Sequence, residues 1–267
     1  MLTFVGLGLC DEQDITLKGL SAVKAASHVF LEAYTSILLV EKGNLERLYG
    51  KEVQIMDRDA VEQHCDQMLE LAKTENVAFL VVGDAFCATT HTDLYKRATD
   101  LDVEVRVVHN ASIMNACGQC GLSLYRMGET ISLVFFEKDW KPDSFYDKVK
   151  SNMAAGLHTL CLLDIKVKER SLENLMRGRD VFEPPRYMSV TDALEQMLEI
   201  EATRHEGVFS TETQVFGLAR IGHDDAMIRA GSIKELLEVD FGKPLHTLVV
   251  CAPELKNMES EMFQFWS

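Results

Sequence analysis

The chain has 267 residues, of which 47% are hydrophobic, so it is long enough for one large domain or two smaller ones with buried cores. Its formal net charge is −15 at pH 7. Because an acidic surface repels phosphate groups, this charge disfavours broad nucleic-acid binding and attachment to anionic membranes. No apolar run approaches the length of a transmembrane helix, and the segment from Met1 to Gly6 lacks the basic flank of a signal peptide. The seven cysteines are scattered in apolar contexts, which fits a reducing compartment, and we expect a cytoplasmic protein.

The first half of the chain alternates short apolar runs with amphipathic, helix-like segments. Strands are predicted at 2–9, 29–33, 52–56, 77–82 and 103–108, and helical segments at 15–23, 45–49, 59–73 and 94–99. Thr16 or Asp14 is a candidate N-cap for the first helix. Strands that alternate with helices are typical of a parallel sheet, so the predicted fold class is α/β.

The central predicted strand, from Val77 to Val82, is apolar throughout, which is typical of a strand buried on both faces. It stops at Gly83 and Asp84, and small and hydroxylated residues follow. In open α/β sheets the ligand binds outside the carboxyl ends of the strands. Gly83 would let a ligand approach the backbone, and Asp84 can accept hydrogen bonds from hydroxyls or amines. The alternative is a simple strand–turn–helix corner in which Asp84 or a threonine is the N-cap.

The first predicted strand ends in Gly6-Leu7-Gly8-Leu9, which invites comparison with dinucleotide-binding loops. The dinucleotide fingerprint requires a third glycine where this chain has Asp11. An acidic residue at the start of a helix would also repel a pyrophosphate. The segment therefore disfavours NAD and favours a ligand of neutral or positive charge.

The second half is also predicted to be mixed α/β, and we detect no internal repeat. Strands are predicted at 130–136, 160–167, 213–219 and 245–251, and helices at 144–153, 172–177, 233–237 and after a cap at Ser189 or Thr191. We place the domain boundary near the corner that follows the fifth strand. The predicted domains are an N-terminal α/β domain at 1–110 and a C-terminal α/β domain at 111–267.

The cysteine and histidine patterns bear on whether the chain has a catalytic or metal-binding motif. Cys117-Gly118-Gln119-Cys120 fits a dithiol redox centre, half of a zinc site, or two small residues packed at a glycine-rich turn. No second C-x-x-C and no paired histidines complete a set of four ligands, so no metal is expected. The eight histidines are scattered, and the sequence has neither H-E-x-x-H nor G-x-S-x-G. Motifs alone therefore identify no catalytic residue.

Several segments, in the same order along nearly the whole chain, resemble the diphthine synthase family and especially its eukaryotic branch. They include G-L-G-L from Gly6, G-D-A-F-C-A-T-T-H-T-D-L from Gly83, H-N-A-S-I-M-N-A from His109, C-L-L-D-I-K-V-K-E-R-S-L-E-N-L from Cys161, E-P-P-R-Y-M-S-V from Glu183, G-L-A-R-I-G from Gly217 and P-L-H-T-L-V-V from Pro244. The resemblance implies an S-adenosylmethionine-dependent methyltransferase with a tetrapyrrole-methylase-like fold. It further implies two α/β domains with a cofactor cleft between them, and a homodimer.

The resemblance also implies the substrate, which is an amino-carboxypropyl-modified histidine of translation elongation factor 2 in diphthamide biosynthesis. Eukaryotic members methylate a carboxylate of this group as well as its amine. The residues that match cofactor contacts are Leu9, Asp84, Cys87, Ser112, Ile113, Leu163, Ile221 and His246.

One loop departs from the family pattern. The family's central loop reads G-D-P-F-G, whereas this chain has Ala85 and Cys87 in place of the proline and the second glycine. A backbone contact made with ordinary backbone angles would tolerate the Cys87 side chain. Two alternatives stay open, a thiol–disulfide oxidoreductase that uses Cys117 and Cys120, and a binding module without catalytic activity.

Overall fold

The computed structural model describes residues 1–34, 36–38, 40–62, 64–169, 176–179 and 181–267. The chain divides into two compact units, Met1–Ala116 and Cys117–Ser267, and each is described by itself. Compactness does not show which part folds independently, so the domain boundary at 110/111 stays a prediction. Within the described ranges, no helix is long and apolar enough to cross a membrane.

The first unit contains a five-stranded sheet in the order β3-β2-β4-β1-β5. Its strands are β1 Leu2–Gly6, β2 His28–Glu32, β3 Gln54–Met56, β4 Val77–Val81 and β5 Val105–Val108. The neighbouring strands pair in parallel, as the alternating pattern predicted. Every residue of β1 and β4 is buried, because both strands lie in the interior of the sheet.

Helices connect the strands of this unit. They are α1 Leu17–Ala25, α2 Lys42–Tyr49, α3 Arg58–Glu62, α4 Asp66–Thr74, α5 His91–Asp100 and α6 Ile113–Ala116. Thr16 caps α1, because its hydroxyl oxygen accepts a hydrogen bond from the Gly19 N–H at 3.0 Å. The single helix predicted at 59–73 was wrong, since α3 and α4 are separate. Val61, Cys65 and Met68 stay buried through the interruption, so the hydrophobic period alone did not reveal it.

The second unit contains a sheet in the order β11-β10-β12-β7-β6 and a two-stranded sheet of β8 and β9. Its strands are β6 Ile131–Leu133, β7 Thr159–Leu163, β8 Ile165–Lys166, β9 Arg186–Tyr187, β10 Gln214–Ala219, β11 Met227–Ser232 and β12 His246–Val250. In the larger sheet β6 pairs with β7 in parallel, and the other pairs are antiparallel. Strand β11 was not predicted, because Arg229 and Gly231 interrupt its apolar pattern.

Among the described residues of the second unit, the helices are α7 Ser144–Ala154, α8 Val190–Arg204, α9 Ile233–Leu236 and α10 Asn257–Trp266. Ser189 caps α8 in a reciprocal capping box: its Oγ accepts from the Asp192 N–H at 3.0 Å, and the Asp192 carboxylate accepts from the Ser189 N–H at 2.8 Å. The predicted N-cap at Ser189 is thus confirmed. Most of the helix predicted at 172–177 lies outside the described residues.

Candidate functional site

The carboxyl ends of β1 and β4 form the switch point of the first sheet. The two strands are adjacent and parallel, and the connections that follow them run in opposite directions along the sheet, from β1 past β4 to β2 and from β4 past β1 to β5. Ligands of open α/β sheets bind where the connections of neighbouring strands run in opposite directions. The topology therefore places a candidate ligand site at the loops that follow β1 and β4.

Two glycines join these loops. The Gly8 N–H donates to the Gly83 carbonyl oxygen at 3.2 Å, and the Gly83 N–H donates to the Gly8 carbonyl oxygen at 2.7 Å. Gly8 has φ +84° and Gly83 has φ +77°, values that glycine adopts at low cost. A Cβ at Gly8 would also lie 2.6 Å from Cβ of Asp14, so no larger residue fits there.

The loop after β1 folds around the Asp14 carboxylate. Its Oδ2 accepts hydrogen bonds from the Leu9 N–H at 3.0 Å and the Cys10 N–H at 2.7 Å. Since Thr16 caps α1, Asp14 is free to take this second role, which the sequence analysis did not assign. The arrangement leaves the Leu9 side chain partly exposed beside the switch point.

The Asp84 carboxylate connects the loops that follow β4 and β5. It is 4% exposed; Oδ1 accepts from the Phe86 N–H at 3.0 Å, and Oδ2 accepts from the Asn110 N–H at 3.0 Å and His109 Nδ1 at 2.8 Å. Burial raises the pKa of Asp84, but the hydrogen bonds from Phe86, Asn110 and His109 outweigh it, so the pKa lies below its usual value. A buried negative charge therefore persists at neutral pH, and its partners are protein groups.

The rest of this loop is held through the Ala85 carbonyl oxygen. It accepts from Thr89 Oγ1 at 2.6 Å and from His91 Nδ1 at 2.9 Å, while the Cys87 N–H donates to the Asp84 carbonyl oxygen at 3.3 Å. Burial lowers the pKa of His91, so the imidazole is neutral and Nδ1 carries its proton. Cys87 stays partly exposed. His91, one of the scattered histidines of the sequence, thus shapes the loop.

Ser112 and Ile113 lie at the corner after β5. Ser112 is 5% exposed; its N–H donates to Asn115 Oδ1 at 2.8 Å, and its Oγ accepts from the Met114 N–H at 3.2 Å. These bonds begin α6 and leave Ile113 partly exposed. A Cβ at Gly83 would lie 3.4 Å from the Cβ of Ser112, so the corner approaches the β4 loop closely.

Asn110 is a site residue that sequence reasoning missed. Its Nδ2 donates to the Gly6 carbonyl oxygen at 3.0 Å and to the Asp14 carbonyl oxygen at 2.9 Å, and its Oδ1 accepts from the Ala111 N–H at 2.8 Å. An asparagine two residues after a strand was the available signal, but the partners of its Nδ2 are far away in the sequence. With Asn110, the structure brings together the loops of Leu9, Asp84, Cys87, Ser112 and Ile113.

The remaining predicted contacts lie at the ends of three interior strands of the larger sheet in the second unit. Leu163 ends β7, Ile221 follows β10, and His246 begins β12 opposite Ala219. The register Thr247–Leu162 between β12 and β7 also brings His246 next to Leu163. The structure therefore gathers these three residues, within this unit, at a second cluster of strand ends.

Both ring nitrogens of His246 are engaged. Nδ1 accepts from the Val190 N–H at 3.4 Å, so the proton lies on Nε2, which donates to the Lys243 carbonyl oxygen at 2.9 Å. Burial lowers the pKa of His246 and outweighs the hydrogen bond to the Lys243 carbonyl oxygen, which raises it; the positive charge of Arg220 lowers the pKa further. His246 is therefore neutral. Because both ring nitrogens are hydrogen-bonded to the protein, a ligand would contact the ring faces or the main chain of His246.

The Cys117–Cys120 pair does not have the environment of a redox centre. Both side chains are fully buried, and burial raises the pKa of Cys117 and raises that of Cys120 to about 11. Because the thiolate is the reactive form, a raised pKa opposes disulfide exchange. Over the part of the chain that the structure describes, no three His, Cys, Asp or Glu residues are grouped to hold a metal ion. Packing is the interpretation that these observations favour.

Comparison with known proteins gives consistent matches over the chain. Residues 1–236 match the family model of the tetrapyrrole (corrin/porphyrin) methylases. Diphthine methyl ester synthase of Homo sapiens is 54% identical, with 100% of this chain and 95% of that protein covered. The Schizosaccharomyces pombe protein of the same name is 53% identical, with 100% and 94% covered. A crystal structure of diphthine synthase has a TM-score of 0.85 at 32% identity and covers 100% of this chain and 95% of that one.

Proposed function

Because the chain belongs to the tetrapyrrole methylase family and, within it, to the diphthine methyl ester synthases, we propose that it methylates the modified histidine of translation elongation factor 2. The chain is a methyltransferase of diphthamide biosynthesis, and the proposal adds the acceptor, an amino-carboxypropyl group, and the donor, S-adenosylmethionine. The full-length similarity to these enzymes carries the proposal. Neither the redox alternative nor the non-catalytic module is supported by the comparisons.

We assign the donor site to the residues predicted from the family resemblance. They are Leu9, Asp84, Cys87, Ser112, Ile113, Leu163, Ile221 and His246. In the first unit the exposed carboxylate of Asp14 and the buried carboxylate of Asp84 suit a cation. The partly exposed side chains of Leu9, Cys87 and Ile113 suit an adenosine. The donor, when bound, supplies a methyl group on a sulfonium sulfur for in-line displacement.

The chain's own contribution is positioning and exclusion of water. A carboxylate acceptor has a pKa of roughly 3.5 and is ionised at neutral pH, so its methylation requires no general base. The neutral imidazoles of His91 and His246 already hold backbone carbonyl oxygens and do not act as bases in this arrangement. Rate acceleration then comes from holding donor and acceptor in line in a dry site. An amine acceptor must lose its proton before it attacks, and we assign no residue to that step.

The partners follow from the same proposal. We propose that elongation factor 2 is the protein substrate, that the enzyme works in the cytoplasm where this factor acts, and that it forms a homodimer. No metal is needed for a methyl transfer from a sulfonium.

The test is incubation of the protein with radiolabelled S-adenosylmethionine and elongation factor 2 that carries the unmethylated amino-carboxypropyl group. We expect label on the modified histidine, located by peptide mass spectrometry, with or without a chelator. A factor that lacks the modification is the control and should stay unlabelled. Absence of labelling by a folded protein that binds the donor would contradict the proposed reaction.

A further inference from the structure

We propose that Asn110 is the positioning residue that holds the loops after β1, β4 and β5 in the arrangement that binds the methyl donor. This inference rests on the proposed function. It adds a residue whose role does not require contact with the donor. It starts from the observation that one residue, through its side chain and its main-chain N–H, joins loops from three neighbouring strands.

The polar atoms of the Asn110 side chain are all used. The two N–H groups of Nδ2 have two carbonyl acceptors, Gly6 and Asp14, which lie at either end of the loop after β1. Oδ1 accepts from the next residue, Ala111, and so fixes the corner after β5. A side chain with two donors and one acceptor is therefore required, and asparagine provides both in the shortest form.

Main-chain contacts tie the same residue to the third loop. The Asn110 N–H donates to Asp84 Oδ2 at 3.0 Å, which places the corner against the loop after β4. A Cβ at Gly6 would lie 2.8 Å from the Cβ of Asn110 and 2.7 Å from the Gly83 carbonyl oxygen. The three loops are therefore in close contact at this point, and a shift of Asn110 would move the segments that carry Leu9, Asp84 and Ser112.

The electrostatic surroundings require a neutral donor at this position. The charged or titratable groups of the neighbouring loops are Cys10, Asp11, Glu12 and Asp14 after β1, Asp84, Cys87 and His91 after β4, and His109 after β5. Asp14 and Asp84 share hydrogen-bonded segments with Asn110, and the His109 imidazole donates to Asp84. Two carbonyl oxygens face Nδ2 directly. An ionised carboxylate at residue 110 would meet these oxygens and two negative charges, whereas a protonated carboxyl would still offer one O–H donor.

The test uses Asn110→Asp, which keeps the shape and the acceptor for Ala111 and removes the two N–H donors. Calorimetry with S-adenosylmethionine should show a dissociation constant raised about tenfold or more over wild type at pH 8. The increase should shrink as the pH falls to about 5.5, because protonation of the new carboxyl restores one donor to a carbonyl oxygen. Wild type should show no corresponding recovery at low pH.

Asn152→Asp is the matched control. Asn152 in α7 has the same bonding pattern, since Nδ2 donates to the Glu129 carbonyl oxygen and Thr159 Oγ1 at 2.9 Å each, and Oδ1 accepts from the Glu129 N–H at 3.0 Å. This control should lose thermal stability without a pH-dependent change in donor affinity. If Asn110→Asp does not fold, Asn110→Ser, which is uncharged and has one donor, should bind the donor more weakly at every pH.

The outcomes separate the two proposals. A wild-type protein that does not bind S-adenosylmethionine overturns the proposed function. Wild-type binding together with an unchanged dissociation constant in a folded Asn110 variant overturns the role of Asn110. An affinity loss in Asn110→Asp that is the same at pH 5.5 and pH 8, or that Asn152→Asp reproduces with its pH dependence, also overturns it.

Discussion

At the scale of single residues, the structure changes what Asp84 does. The sequence suggested that its carboxylate accepts hydrogen bonds from a ligand, but three protein donors already use it. An ionised carboxylate has about four acceptor positions, so a ligand contact stays compatible with these bonds. We therefore expect Asp84 to contribute to donor binding through both its charge and its hold on two loops.

Replacing Asp84 should accordingly weaken donor binding. In Asp84→Ala the loops after β4 and β5 lose a charged acceptor, and we expect a loss of about 1.5–3 kcal/mol in binding free energy. Calorimetry with S-adenosylmethionine measures this loss. Asp143, an exposed residue before α7, offers the control variant Asp143→Ala, which should bind normally. An unchanged affinity of Asp84→Ala would remove this residue from the site.

His91 allows the two ring nitrogens to be tested separately. Nδ1 holds the Ala85 carbonyl oxygen, whereas Nε2 is buried and has no hydrogen-bond partner among the described residues. His91→Asn places an N–H near the position of Nδ1, and His91→Gln places one near Nε2. We expect the asparagine variant to keep donor affinity within a few-fold and the glutamine variant to lose about tenfold, since only the first keeps the bond to Ala85. The opposite order of the two affinities would show that Nε2 is the important atom.

At the scale of elements, a buried polar network attaches α10 to the rest of the second unit. Glu259 in α10 is 4% exposed; its carboxylate pairs with Arg126, accepts from His158 Nε2 at 3.1 Å, and accepts from the Ser123 N–H at 3.2 Å. The Ala252 N–H donates to His158 Nδ1 at 2.9 Å, which fixes the tautomer. The helix is thus held by charge as well as by packing.

Removal of this carboxylate should destabilise the fold. In Glu259→Ala the Arg126 charge is left largely buried without its partner, and we expect about 3–5 kcal/mol less free energy of unfolding. Urea denaturation followed by circular dichroism measures the change. Asp100→Asn, which breaks the exposed pair with Lys96, is the control and should cost no more than about 1 kcal/mol. Equal effects of the two variants would refute the role of burial in this network.

At the scale of the whole molecule, the shifted pKa values predict acid sensitivity. Burial lowers the pKa of His91, His158 and His246, so these side chains are neutral when folded and take up protons when unfolded below pH of about 6.5. A histidine whose pKa is lower in the folded state than in the unfolded state stabilises the fold above its unfolded pKa. This stabilisation is lost as the pH falls. The free energy of unfolding should therefore start to decrease between about pH 7 and pH 5.

Glu201 extends this loss to lower pH. Its carboxylate accepts from the N–H groups of Gly207, Val208 and Phe209 and from Tyr146 Oη. Burial raises the pKa of Glu201, but these bonds outweigh burial and lower the pKa to about 2. The contribution of Glu201 to the free energy of unfolding is complete above the pKa of an unfolded glutamate, about 4.3. It disappears as the pH falls toward 2. Urea unfolding at a series of pH values measures the free energy of unfolding. Below about pH 4.3 this free energy should fall less steeply with decreasing pH in Glu201→Gln than in wild type. Equal slopes for the two proteins would contradict this account.

Much of the fold followed from local patterns. The buried run that became β4, the hydroxyl caps at Thr16 and Ser189, and the alternation that produced the parallel sheet depend on residues close together in the sequence. The separation of α3 from α4 and the strand β11 did not follow, because apolar spacing survives a helix break and a strand with Arg229 and Gly231 lacks clear alternation. Family motifs supplied the candidate site residues, which lie at or just beyond strand ends and stay a prediction.

The sequence by itself thus determined the α/β class, the strand-end loops and the family resemblance, since each is written in short segments. Only the tertiary structure decided how those segments are held together. Asn110 bonds to Gly6, 104 positions earlier in the chain, and His158 bonds to Glu259, 101 positions later. The first pair depends on strand order, because parallel neighbours align the ends of segments that are distant in sequence. The second depends on the packing of α10 within the second unit. The same order brings His109 and Asn110 to Asp84, whereas the nitrogens of His246 are engaged by Lys243, three positions earlier, and by Val190 at the start of α8.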